Sequence, residues 1–384
     1  MTRATRPRIA WFIAAALATV PVLVLTIAAV STAHRTDLKC FWTGARLVAS
    51  GLDPYDAAVW GSAVAGTFEN VLGRPGPSPC PGAYGYPLTT AVLTFPLALA
   101  PLELAAAAWA IAGIAGLAAG ITFLGRSARI GRDGALALAF VTLASQPAWW
   151  NAIFLQYGGI LVAGLGVLAL SSTSGSRALS VAATLSLALK PHVAPIALVE
   201  RLAAAPPRAR TAAILALGAV VIVPTIFFPA WPLQWMTALA SDRPRIAEVS
   251  PTFWALVSAV TGRADVAFIA SWAAAGAFLT VLRGVELRDG IDRMAVATVA
   301  WMLVVPYGSA ADLLVLTVAW CALIRRGHIG LALVVAVLVP WAAFRVDPTL
   351  GLGAVAPVTA AALGAVLRTR ALTDRPRAAM LSGW

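Results

Sequence analysis

Residues 9–31 read IAWFIAAALATVPVLVLTIAAVS, a run without a single charge. A helix needs about 20 apolar residues to cross a hydrocarbon layer of about 30 Å, and this run meets that length. Arg3, Arg6 and Arg8 precede it in the manner of a signal peptide, but the apolar core is too long for a cleaved one, so a retained first span is expected. Outward from this run the pattern repeats. Of 384 residues 60% are hydrophobic and 11% charged, with a mean hydropathy of +0.85. Soluble domains carry about 25% charged residues. In lipid every backbone polar group must be satisfied internally. The runs are long and rich in Ala and Leu rather than alternating, so helices fit and a barrel does not. The expected fold is an all-α polytopic membrane protein of about eleven to thirteen transmembrane or re-entrant helices, with one long external loop after the first.

Residues 32–86 form that loop, with four basic residues (Arg35, Lys39, Arg46, Arg74) against four acids (Asp37, Asp53, Asp56, Glu69). The arginines ahead of span one are uncompensated, so the positive-inside rule puts residues 1–8 in the cytoplasm and the loop outside. Apolar positions at helical spacing over 38–50, stopping at Ser50-Gly51, predict a short interfacial helix. The Asp53-Pro54 turn follows, and the Gly/Pro-rich stretch 73–82 reads as irregular loop. Cys40 and Cys80 share the loop and can pair if it faces an oxidising space, whereas Cys321 lies in an apolar segment.

Further apolar runs lie at 87–100, 102–125, 134–149, 158–172, 178–189, 192–200, 211–228, 265–282, 292–305, 309–324, 328–345 and 351–367. Those at 87–100, 178–189 and 192–200 are short for a bilayer and read as broken or re-entrant helices. Basic loops at 126–132, 201–210, 283–293, 325–326 and 368–377 read as cytoplasmic, which makes 229–264 a second external loop. One membrane domain, 9–368, is expected between cytoplasmic tails 1–8 and 369–384. The net charge of +12 lies in these short loops, which argues for a membrane partner and against nucleic acid.

Asp37 follows span one by a few residues, where a carboxylate meets the membrane surface. A partly desolvated carboxylate there is a candidate general base. Only two of the 28 basic residues are lysines, Lys39 and Lys190. Lys190 interrupts an apolar stretch, where a cation is expensive, and a point charge of this kind suits a phosphate. Asp312 is an acid inside an apolar segment and a site candidate for the same reason.

These residues lie in stretches that together resemble glycosyltransferase family 87. An acid after span one is followed by Gly51-Leu52-Asp53-Pro54-Tyr55-Asp56. Tyr84-Gly85-Tyr86-Pro87-Leu88 is similar to the family's Tyr-Pro-Pro-Leu start of span two. Pro147 to Asn151, ending in Leu155-Gln156-Tyr157-Gly158, resembles its Gly-Gln-x-Asn stretch, with Leu155 in place of Gly and Gly158 in place of Asn. Leu189-Lys190-Pro191 resembles its Lys-Pro element. Pro306 to Leu313 resembles its Pro-x-x-x-x-Tyr-Asp-Leu segment, with Ala311 where Tyr is usual.

The resemblance implies a GT-C fold and a polyprenyl-phosphate-sugar donor, with mannose the first expectation and arabinofuranose the near alternative. The acceptor would be an envelope glycolipid or glycan. The resemblance carries the catalytic role onto Asp37, with Asp53 and Asp56 more simply turn residues. Substrate contacts would come from Lys190, Arg243, Arg245, Tyr86, Gln156, Asp312, His192 and Lys39. The tryptophans at segment ends (Trp149, Trp150, Trp231, Trp235, Trp254) read first as an interfacial belt, with indoles that can also stack on sugar rings, and Glu103 as an interfacial acid. No Asp-x-Asp, Gly-rich phosphate loop, Cys/His zinc spacing or Gly-x-Ser-x-Gly occurs, so no cofactor and no metal are expected. A transporter of lipid-linked sugar, the rival from another class, should show related halves and charges near the midplane. The acids instead gather in one external loop.

Overall fold

The computed structural model describes residues 6–65, 68–69, 75–76, 80, 82–241 and 250–381. It is a helical bundle; the one sheet among the described residues is the two-residue pairing of Phe68–Glu69 with Pro75–Gly76. The chain opens with α1 (Arg6–Ser31), a 3₁₀ turn Ala33–Arg35, α2 (Leu38–Ala49) and α3 (Ala57–Val64). Then come α4 (Leu88–Leu93), α5 (Phe95–Ala98), α6 (Leu102–Ser127), α7 (Arg132–Leu143), α8 (Gln146–Phe154), α9 (Gly158–Ser174) and α10 (Arg177–Ala188). α11 (Pro195–Ala204), α12 (Pro207–Phe227), α13 (Trp231–Ser241), α14 (Phe253–Thr261), α15 (Ala264–Val281) and α16 (Gly290–Val304) follow. A 3₁₀ segment Ala310–Leu316 leads into α17 (Thr317–Arg325). α18 (Ile329–Leu333), a π turn Val334–Leu338, α19 (Val339–Val346) and α20 (Val355–Leu381) close the chain.

Among the described residues, six helices are long and apolar enough to cross a membrane: Ile9–Ser31, Leu102–Ser127, Pro207–Phe227, Ala264–Val281, Ile329–Val346 and Leu350–Thr369. The pair α8 and α9, bent by 120°, makes a seventh if taken as one span. The protein is therefore an all-α polytopic membrane protein. The sequence count of eleven to thirteen takes in re-entrant pieces, and the runs read as short are short here. Prolines 87, 96 and 101 break 87–100 into α4 and α5, and Lys190-Pro191 with Pro195 separates α10 from α11.

Three boundaries differ from expectation. The run 134–149 ends at Ser145, whose hydroxyl accepts from Ala148 N (3.3 Å) and starts α8. Residues 229–264, read as loop, contain α13 and α14; Thr252 caps α14 and Gly262 ends it in the left-handed region (φ +67). α20 continues to Leu381 through the stretch read as a tail.

The core sits around residues 310–324, buried on every side and apolar except for Asp312 and Thr317, as expected of a segment at the centre of a bundle. Leu17, Ile27, Leu215, Ile226 and Ile269 are exposed on the outer helices and would face lipid. α6 and α9 pack through glycine. A Cβ on Gly159 would collide with the Gly113 carbonyl oxygen, and one on Gly120 would lie 2.5 Å from the Val162 carbonyl. Without a hydrophobic driving force between helices in lipid, such close backbone approach supplies the packing.

Candidate active site

α1 ends at Ser31, the 3₁₀ turn reverses the chain, and Thr36 is extended, which brings Asp37 to the N-cap position of α2. Asp there usually caps with its own carboxylate. Asp37 makes no cap bond; its Oδ2 instead accepts from the Gln156 side-chain amide. α2 is held down independently. Trp42 Nε1 donates to the carbonyls of Leu97 (3.1 Å) and Ala100 (3.2 Å), Arg46 covers the Trp42 ring at 4.9 Å, and a Cys40–Cys80 disulfide ties the loop to it. A Cβ on Gly44 would enter the Tyr84 ring, so glycine lets Tyr84 lie against the helix.

Gln156 is presented by the bend between α8 and α9. Leu155 adopts φ +50, and its carbonyl accepts from Trp109 Nε1 (2.9 Å). The position where the resemblance expects glycine thus has the backbone that glycine favours, and leucine carries it at a cost of about 1–2 kcal/mol. Around the bend Phe41 meets Tyr157 (4.7 Å between ring centres), Trp109 (5.2 Å) and Tyr86 (6.1 Å). Tyr55 Oη donates to the Tyr86 carbonyl (2.6 Å) and Trp235 Nε1 to that of Gly85 (3.2 Å), which fixes the 84–86 turn.

Lys190 and Asp312 form a buried ion pair. Lys190 Nζ lies 2.8 Å from Oδ1 and 2.7 Å from Oδ2, with side chains 7% and 2% exposed. The Nζ is also 5.8 Å from the centre of the Tyr157 ring. Asp312 Oδ2 accepts from Ser309 N (2.7 Å), and Thr90 Oγ1 donates to the Leu189 carbonyl (2.7 Å), so both turns that carry the pair are anchored. Tyr86 links this pair to Asp37. Burial and the charges of Asp37 and Asp312 push its phenol well above the usual range, while Gln156 opposes the shift. A neutral tyrosine there is a hydrogen-bond donor rather than a base.

Asp37, Tyr86, Gln156, Lys190 and Asp312, scattered along the sequence, therefore share one neighbourhood. His192 adjoins it: its ring lies in the field of Lys190 and Asp312 and meets Tyr307 Oη at 3.2 Å. Lys39 sits on α2, where burial lowers its ammonium pKa. Arg243 and Arg245 lie outside the described residues. Asp53 and Asp56 are occupied structurally: Asp53 accepts from Tyr55 N (2.9 Å) and Gln234 Nε2 (2.8 Å), and Asp56 caps α3 through Ala58 N and Val59 N. Glu103 is exposed in the first turn of α6.

Beside the cluster a cleft of about 780 Å³ opens between α13 and α15. Met236, Leu239, Phe268 and Ile269 line its walls with Trp235 and Trp254, and His192, Pro306, Tyr307 and an exposed Asp265, paired with Arg263, stand in the same lining. Its volume is in the range of small-molecule sites, about 300–1,000 Å³. Trp235 and Trp254, expected at the interface, stand in this lining, and Tyr157 and Tyr307, not singled out from the sequence, adjoin the cluster. The latent signal was adjacency: Tyr157 follows Gln156, and Tyr307 lies in the Asp312 stretch.

A bundle of lipid-length helices enclosing a loop carboxylate and a lysine–carboxylate pair defines a polytopic membrane protein with an internal polar site. A family model described as glycosyltransferase family 87 matches residues 84–306, more than half of the 384-residue chain, and the chain belongs to that family. The protein is a membrane glycosyltransferase. The matched stretch contains Tyr86, Gln156, Lys190 and His192, with Asp37 before it and Asp312 after it. No curated protein and no solved structure matches the chain.

Proposed function

We propose that this protein transfers a sugar, mannose in the first instance, from a polyprenyl-phosphate donor to a glycolipid or glycan acceptor on the external face of the cell membrane, with inversion. Its N-terminus is then cytoplasmic and the loop 32–86 external. The Cys40–Cys80 disulfide supports that side, since disulfides persist in oxidising compartments.

The observation that carries the reading is the convergence of the apolar cleft and the polar cluster on two shared turns. Residues 190–192 bear Lys190 and line the cleft through His192; residues 306–312 line it through Pro306 and Tyr307 and bear Asp312. An isoprenoid chain fits apolar walls whose outer members, Met236 (58% exposed) and Ile269 (66%), open towards lipid. The sugar phosphate at its head then reaches the polar turns.

Asp37 is the general base. Its carboxylate takes the proton of an acceptor hydroxyl as that oxygen bonds to the anomeric carbon. The bond from that carbon to the phosphate oxygen breaks on the opposite face, and polyprenyl phosphate leaves with the electron pair. Gln156 orients Asp37, and Lys190 with Asp312 sets the field on the leaving side. General-base catalysis contributes about 10²–10⁴-fold. The test is purified protein in lipid nanodiscs with polyprenyl-phosphate-mannose, polyprenyl-phosphate-arabinose and a glycolipid acceptor. Transfer should fall at least about 100-fold in Asp37→Asn. Undiminished transfer removes Asp37 from the role, and no transfer from either donor removes the donor class.

A further inference from the structure

Lys190 is the expected partner for a phosphate, yet its ammonium is already matched. Both Asp312 oxygens lie within 2.8 Å of Nζ, the pair is buried, and the Tyr157 ring is close by. The described part of the cleft therefore needs another donor for an oxyanion.

His192 supplies one. It is held at backbone and ring: the backbone carbonyl accepts from Trp301 Nε1 (2.6 Å), the Tyr307 ring lies 4.3 Å away at 30°, and Nδ1 meets Tyr307 Oη at 3.2 Å. The other nitrogen, Nε2, is shielded from solvent and has no hydrogen-bond partner among the described residues. Buried polar atoms are usually paired, and His192 stands in the lining of a cleft, where a ligand can supply the missing partner. Where the Tyr307 hydroxyl donates to Nδ1, the proton of a neutral imidazole resides on Nε2. Burial and the nearby Lys190 charge hold the ring neutral, pushing its pKa down to about 3 against an opposing pull from Asp312.

We infer that His192 Nε2–H is the uncharged hydrogen-bond donor for the phosphate of the lipid-linked substrate, with Tyr307 as the positioning residue that sets its tautomer. This rests on the polyprenyl-phosphate reading. No proton moves in this contact. Charge on the phosphate grows as the glycosidic bond breaks, so a fixed neutral donor in a site of low dielectric is worth more in the transition state than in the ground state.

The test is equilibrium binding of a polyprenyl monophosphate and of the polyprenol of equal length to the full chain in nanodiscs. Tryptophan fluorescence is the readout, because Trp235 and Trp254 line the cleft. Wild type should prefer the phosphate. His192→Ala should lose about tenfold of that preference, as expected for a hydrogen bond to a charged group, while still binding the alcohol. His192→Gln, which can present an amide N–H, should recover part of it. Preference fully retained in His192→Ala overturns the inference and leaves the donor reading standing. Wild type that binds phosphate and alcohol alike overturns the donor reading and the inference with it. If His192→Ala binds neither, Tyr307→Phe decides: a reduced preference supports the inference, and an unchanged one overturns it.

Discussion

The Gln156 amide donates to Asp37 Oδ2 across 119 positions of sequence, and this bond uses the carboxylate that would otherwise cap α2. Orientation of Asp37 thus draws on the bend at Leu155, which presents Gln156. Gln156→Leu should lower kcat about tenfold or more while leaving the donor KM within about threefold, because it removes positioning and not the base. Steady-state kinetics decide the matter; a change confined to KM would put Gln156 in substrate binding instead.

The Lys190–Asp312 pair should show strong coupling. Removing one partner leaves a buried charge uncompensated, so Lys190→Met or Asp312→Asn should each destabilise by about 3–5 kcal/mol. Lys190→Met combined with Asp312→Leu should cost less than the sum of the single changes. Thermal unfolding of the four proteins in detergent gives the cycle, and additive losses would contradict a coupled pair.

His192 carries a stability signature of its own. Burial and the nearby Lys190 charge push its folded pKa down to about 3, below the ordinary imidazole value of 6.5. Between those values the unfolded chain binds a proton that the folded protein excludes, so stability falls as pH drops through that window. The contribution has a limiting slope of about 1.4 kcal/mol per pH unit. His192→Gln should flatten the acid limb of a stability–pH curve below about 6. An unchanged limb would mean that the imidazole becomes protonated in place.

The α6–α9 contact predicts intolerance at two small residues. Gly159→Ala and Gly120→Val place atoms against facing backbone, and each should cost about 1–3 kcal/mol by overpacking. Gly218→Ala, a helical glycine with open space around its Cβ position, is the control and should be neutral or slightly stabilising. Melting temperatures of detergent-solubilised protein compare the three.

Reducing the Cys40–Cys80 bond should destabilise the protein by about 2–4 kcal/mol, since it closes a 40-residue separation between α2 and the loop. Melting with and without reductant measures this. Thiol labelling should modify Cys40 and Cys80 only after reduction, leaving the buried Cys321 unreacted while the fold persists.

The sequence by itself determined the class of fold and the names of most candidates. Apolar length is a local property, and a bilayer turns it directly into helical spans. A lone acid or lysine within greasy sequence is conspicuous because burying it is costly, which is why Asp312 and Lys190 could be picked out singly. The turn character of Asp53 and Asp56 was likewise legible, since their turn bonds are made to neighbours two or three residues away. Only the tertiary structure decided who meets whom. The pairing of Lys190 with Asp312 joins residues 122 positions apart, and no periodicity encodes it. The cleft lined by Trp235, Trp254 and Tyr307 arises from packing between helices, which local hydropathy does not encode. Local chemistry set which groups had to find a partner, and packing over long sequence separations chose the partner.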